Sequence, residues 1–263
     1  MAVTIENAGH DACFDAAFAQ PPTWESGFVT GLFVATADLA DIEARVRRSV
    51  GIGAPAQVDN LADTDWERAW LTEYRPVEVD ERLCICPSWL EPPNPRATVV
   101  WLDPGLAFGT GTHVTTRLCL EEFTRINWRG KYLIDYGCGS GILAVTALRL
   151  GARRAVGLDV DPHALRASTE NARRNRVSDR YRATHAGSFE SAPADIVVAN
   201  ILADVIVDLA YTLTELVAIQ GRILLTGILT SQVNDVIAAF APRCAFEVID
   251  REGWSLLKGR RDR

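Results

Sequence analysis

No stretch of this sequence is apolar over the ~20 residues that a membrane-spanning helix needs, and no basic segment followed by an apolar one opens the chain. Neither a membrane span nor a secretory leader is therefore expected. The six cysteines (Cys13, Cys84, Cys86, Cys119, Cys138, Cys244) are too scattered for a disulfide framework. Three of them sit inside apolar stretches, which predicts reduced, buried thiols in a cytoplasmic protein. Cys84 and Cys86 form one CxC with no second pair, which argues against zinc, and no metal site is expected. Positive charge is outnumbered: 27 Lys and Arg against 34 acids leave a net charge of −7. Such a chain is a poor match for a nucleic-acid backbone and suits a basic protein partner. The local exception is a set of nine arginines between Arg149 and Arg182, read as a solvated helix face and the loop after it.

What is present is an ordinary globular composition, 48% hydrophobic and 23% charged, over 263 residues, enough for one domain or two. The chain changes character near residue 93. Before it, AVTIE and VTGLFVAT (29–36) read as strands, ADLADIEARVRRSV (37–50) as an amphipathic helix and AQVDNL (56–61) as a short strand. DTDWERAWLTEY (63–74) reads as a helix capped by Asp63 or Asp65, with Trp66 and Trp70 on one face for packing. The proline-rich LEPPNPR (90–96) reads as the end of a linker.

Beyond it, strands (KYLIDYG, RAVGLDV, DIVVAN, GRILLTGI) alternate with helices (ILAVTALRLG, PHALRASTENARRN, LADVIVDLAYTLTELVA, SQVNDVIAAFA). Strands apolar throughout and separated by helices predict an α/β fold with a parallel sheet covered on both faces. AFEVIDREGWSLLKGRR then offers two extended runs around Arg251-Glu252-Gly253, a hairpin. A doubly wound sheet closed by an antiparallel hairpin is the layout of a class I methyltransferase rather than of a dinucleotide dehydrogenase.

DYGCGSGILAV (135–145) carries the first chemistry. The dinucleotide fingerprint GxGxxG needs glycine at 142, where Ile142 stands; the spacing is GxGxG over Gly137, Gly139 and Gly141. S-adenosylmethionine has no pyrophosphate, but its ammonium needs a carboxylate, which Asp135 supplies directly or through water. The second strand ends at Asp159, where a ribose diol finds its acceptor. Asp161-Pro162 opens the next helix as cap and first residue, whereas Asp159 has no such local task. Strand four ends at Asn200-Ile201-Leu202-Ala203, beside the sulfonium. The Pro-Pro-aromatic that stacks a flat substrate is absent, so Asn200 is expected to offer its oxygen to an sp³ amine such as lysine. The expected difficulty is proton loss, since an amine of pKa ~10.4 costs about 4.6 kcal/mol to neutralise at pH 7. LDPGLAFGTGTHVTTRLCLEEF (102–123) is not a P-loop. Its glycines, Phe108, Gly111 and Thr112 are expected to close over the cofactor and exclude water, ahead of a helix capped by Thr112 or Thr115.

DPGLAFGTGTHVTTRLCLE, DYGCGSGILAVTALRLGA, GLDVDPHAL and VVANILA resemble the PrmA family, bacterial lysine methyltransferases of the large-subunit ribosomal protein L-eleven. The likeness runs from about residue 1 to about 258, tightest over 101–203, and WERAW and ICPSW are similar to the family's linker. It implies a Rossmann-like methyltransferase domain (93–263), a linker helix and strand (63–92) and a small ferredoxin-like recognition domain (1–62). It also implies S-adenosylmethionine contacts at Thr116, Gly137, Asp159 and Asn200, and repeated transfer to lysine and the N-terminal amine by a monomer. AVTIE matches the family's second strand, so either the true start lies upstream or the recognition domain is shortened, and the substrate stays open. A related methyltransferase with another substrate and a cofactor-binding module without catalysis are the competing readings; Asn200 and the glycine-rich loop argue against the second.

Overall fold

The computed structural model describes residues 2–7, 27–34, 36–50, 75–103, 109, 111–190, 192–241 and 243–262. The expected helix over 63–74, the strand over 56–61, Trp66, Trp70, Phe108 and Cys13 lie outside these residues. The chain divides into two compact units, Met1–Ala69 and Trp70–Arg263.

In the first unit, β1 (Ala2–Asn7) pairs antiparallel with β2 (Gly27–Leu32). Helix α1 (Leu39–Val50) follows, its first turn opened by Asp38, whose Oδ1 accepts from the N–H groups of Ala40 and Asp41 at 3.1 Å.

The second unit starts well before residue 93. Strands β3 (Val77–Asp80), β4 (Leu83–Cys86) and β5 (Thr98–Trp101) form a small sheet, β3–β4 antiparallel and β4–β5 parallel. Leu83, Ile85 and Val100 are buried in the same cluster as Leu118, Phe123, Trp128 and Leu143, so hydrophobic burial binds the sheet to the rest of the unit. Asn175 adds a polar tie: its Oδ1 accepts from Trp101 N at 2.8 Å and its Nδ2 donates to Trp101 O at 2.7 Å.

Helix α2 (Val114–Arg125) leads into a seven-stranded sheet. Its elements in chain order are β6 (Tyr132–Tyr136), α3 (Ile142–Arg149), β7 (Arg154–Asp159), α4 (Pro162–Arg174), β8 (Tyr181–His185), β9 (Ala194–Asn200), α5 (Ala203–Asp208), α6 (Ala210–Leu216), β10 (Val217–Leu229), α7 (Val233–Phe240), β11 (Cys244–Arg251) and β12 (Trp254–Arg261). In space the strands run β11-β12-β10-β9-β6-β7-β8, with β12 antiparallel to both neighbours and the rest parallel. The apolar runs of β6, β7 and β9 are buried because helices cover both faces. Helix α3 is apolar all round, and Ile142 through Leu148 are all buried.

Two features differ from the sequence pattern. YRATH is strand β8, which its polar composition hid; it is the sheet's edge, where one side needs no apolar cover. The single helix expected over 202–218 is two, broken at Leu209, so that Ile206 and Leu213 each reach the core. Strand β10 then begins at Val217, and its pairing with β9 shifts register between Val217 and Arg222, where Gln220 takes φ 64.

The chain winds outward from β6 through β7 to β8, then returns to β9 on the other side of β6. Strand order reverses there, and the carboxyl ends of β6, β7 and β9 border one crevice.

Candidate active site

The three glycines after β6 are there for backbone shape. Gly137, Gly139 and Gly141 take φ of 73°, 51° and 76°, a region in which a side chain is strained. A Cβ on Gly137 would also lie 2.3 Å from Ile201 Cγ2. Gly137 and Cys138 donate their N–H groups to Leu158 O at 2.7 and 2.9 Å, which fastens the turn to the end of β7.

Asp159 completes that fastening. Its Oδ2 accepts from Gly139 N at 2.9 Å and its Oδ1 from Asp161 N at 3.0 Å. The expectation that it has no local task is corrected: it joins the glycine turn to the entry of α4, and a carboxylate still has lone pairs for a diol. Asp161 caps α4 as expected, accepting from His163 N at 2.8 Å.

Asp135 is almost fully enclosed, at 1% exposure, and its Oδ2 accepts from Ala144 N at 3.1 Å. Burial pushes its pKa up to about 7; the Ala144 hydrogen bond pulls the other way and the neighbouring Asp159 charge raises it further.

Asn200 ends β9 and donates from Nδ2 to Thr116 Oγ1 at 3.3 Å. With Nδ2 committed there, the amide oxygen remains as an acceptor. Thr116 is fully buried on α2. That helix is capped by His113, not by Thr112 or Thr115: His113 Nδ1 accepts from Thr115 N at 3.3 Å while its ring packs edge-on against Trp254 at 5.1 Å. The imidazole supplies an acceptor that sequence rules for caps, built on Ser, Thr, Asp and Asn, do not anticipate. The glycine-rich loop reaches the turn through Ser140, whose Oγ donates to Gly109 O at 2.7 Å.

A cavity of ≈540 Å³ opens among these groups, lined by Gly109, Thr116, Asp135, Gly137, Gly139, Asp159 and Asn200. Gly111 is buried against Ile85 and Ile142, and neither it nor Thr112 lines the cavity. The motif reading passed over Val160, Ile201, Val205, Asp208 and Leu209, which line it too. Val160 alone left a signal, as an apolar residue following the acid at the end of β7, and it is 70% exposed. Carboxylates at the ends of two adjacent strands, a glycine turn between them and an apolar wall match the ammonium, diol and flat ring of S-adenosylmethionine in kind.

A doubly wound sheet closed by an antiparallel hairpin, with this crevice at its switch point, is the frame of a class I methyltransferase using S-adenosylmethionine. The family description "Ribosomal protein L11 methyltransferase (PrmA)" matches residues 1–262, and the chain belongs to that family. A ribosomal protein L11 methyltransferase of Marinomonas sp. is 42% identical over 265 residues, covering 98% of this chain and 90% of its own length. One from Teredinibacter turnerae is 42% identical over 264 residues, covering 99% of this chain and 88% of its own. The crystal structure of a ribosomal protein L11 methylase from Lactobacillus delbrueckii subsp. bulgaricus superposes with a TM-score of 0.64 at 28% identity, covering 72% of this chain and 100% of that one.

Proposed function

We propose that the protein transfers methyl groups from S-adenosylmethionine to lysine side chains of ribosomal protein L11, with the N-terminal amine as a further acceptor. The observation that carries the reading is the Asn200 amide at the carboxyl end of β9, which lines the crevice and donates from Nδ2 to Thr116, leaving Oδ1 as an acceptor. The cofactor supplies an electrophilic methyl on a sulfonium. Asn200 Oδ1 would accept a hydrogen bond from an N–H of the neutral amine and so turn the amine's lone pair toward that methyl. Thr116 fixes the rotamer of Asn200. Asp135 and Asp159 hold the cofactor's ammonium and ribose, and Gly137 and Gly139 give its tail room beside the backbone. The apolar wall lowers the cost of neutralising the lysine, because desolvation disfavours its charged form.

In this reading residues 1–62 recognise the ribosomal protein, and the enzyme works as a cytoplasmic monomer on protein rather than nucleic acid. No helix among the described residues is long and apolar enough to cross a membrane. The test is intact-mass spectrometry of unmethylated ribosomal protein L11 after incubation with enzyme and S-adenosylmethionine. A gain of several whole methyl groups is expected, with kcat lowered at least ~10²-fold in Asn200→Ala, the scale for loss of one oriented polar group. An unchanged mass overturns the substrate assignment.

A further inference from the structure

Three carboxylates line the crevice, and two of them are engaged by backbone N–H groups. Asp135 accepts from Ala144, and Asp159 from Gly139 and Asp161. The third is Asp208, the exposed last residue of α5. Among the described residues no hydrogen bond or ion pair engages its carboxylate, and it caps neither helix it adjoins: Leu209 is the N-cap residue of α6, with no side-chain cap. Val205, three residues earlier on the same helix face, and Leu209, just past the end of α5, line the crevice with it. Leu202 and Val205, two and five residues past Asn200, are apolar side chains left 49% and 41% exposed.

We propose that Asp208 is a specificity-determining residue, which receives the lysine as its ammonium form at the mouth of the crevice. The inference rests on the lysine reading of the site. A lysine with unperturbed pKa ~10.4 arrives protonated at neutral pH. An aliphatic stem lies well on Val205 and Leu202, and its charged head then meets an unpaired carboxylate. A carboxylate favours the ammonium, so it would oppose proton loss at the reacting position; at the exposed rim it attracts without that penalty. Asn200, deeper in the crevice and uncharged, takes the amine once neutral. The two residues divide capture from transfer.

The test compares wild type with Asp208→Asn and Asp208→Glu in steady-state methylation of ribosomal protein L11 at low and high salt. Calorimetric Kd values for S-adenosylmethionine and S-adenosylhomocysteine accompany it. Expected for Asp208→Asn are a KM about three- to tenfold higher, kcat within about twofold of wild type, and a flatter fall of kcat/KM with salt, as for removal of a rim charge. Asp208→Glu should restore most of the KM, and neither cofactor affinity should change. An active wild type with KM and salt response unaltered in Asp208→Asn overturns the inference alone. Weakened binding of S-adenosylmethionine but not of S-adenosylhomocysteine also overturns it, assigning the carboxylate to the sulfonium. A wild type that transfers nothing overturns the lysine reading and this inference together.

Discussion

Arg251, at the end of β11, holds Glu121 on α2 with both arms of its guanidinium, at 2.7 and 2.8 Å, across 130 residues of chain. Three residues on, Trp254 packs against His113, the cap of the same helix. The closing hairpin is thus fastened to the helix that carries Thr116, and through Thr116 to Asn200. The Arg251 guanidinium holds the Glu121 carboxyl below its ordinary range.

Arg251→Ala should cost about 1 kcal/mol, as partly exposed charge pairs do, and a double-mutant cycle with Glu121→Ala should recover most of that as coupling. Because Glu121 titrates lower in the folded state, this stabilisation is fully present above the ordinary glutamate pKa. It is lost as pH falls through the depressed value. Urea unfolding at pH 7 and at pH 3.5 checks both statements; equal coupling at the two pH values would contradict them.

Gly137→Ala should disable the glycine turn. The left-handed backbone costs about 1–2 kcal/mol for a residue with a side chain, and the new methyl meets Ile201 Cγ2 at 2.3 Å. Adding Ile201→Ala should restore the part due to overlap and leave the part due to φ. Denaturant midpoints of Gly137→Ala, Ile201→Ala and the double variant separate the two contributions.

Asp135 sets a pH response in the ligand-free protein. Burial raises its folded pKa to about 7, so between the unfolded carboxylate range and that value the folded state binds more protons. Stability therefore falls as pH rises through this window, by up to a few kcal/mol. Asp135→Asn should flatten the profile. Cofactor affinity should move oppositely, strengthening as pH rises through about 7, because the ionised carboxylate attracts the ammonium. Thermal shift and calorimetry from pH 5 to pH 8 measure both; a variant that keeps the wild-type slope would refute the assignment.

Asn175→Ala should loosen the small sheet. It removes the partner of both Trp101 N and Trp101 O, at about 1–3 kcal/mol for leaving such groups unsatisfied. Faster hydrogen exchange at the Trp101 amide, with the β6–β9 amides still protected, is the expected signature.

The alternation of apolar runs and helical patterns, the glycine spacing and the terminal hairpin were legible because they are local. Side-chain period and backbone constraint act over a few residues, and β6, α3, β7, α4, β9 and the β11–β12 pair formed where those patterns lie. The edge strand β8, the break at Leu209 and the cap at His113 were not legible. Each depends on what lies across from it: an open sheet edge, two core positions to fill, the ring of Trp254.

The same division holds for the site. The sequence by itself determined which groups stand at strand ends, since Asp135, Asp159 and Asn200 each sit in or at the end of an apolar run. Only the tertiary structure decided their partners. Strand order brings Asp159 to Gly139, helix packing on the sheet brings Thr116 to Asn200 and Ala144 to Asp135, and the Asp208 carboxylate is left at the rim. A hydrogen bond needs its two atoms within about 3 Å, and for residues far apart in the chain that distance is set by packing, which no local pattern records.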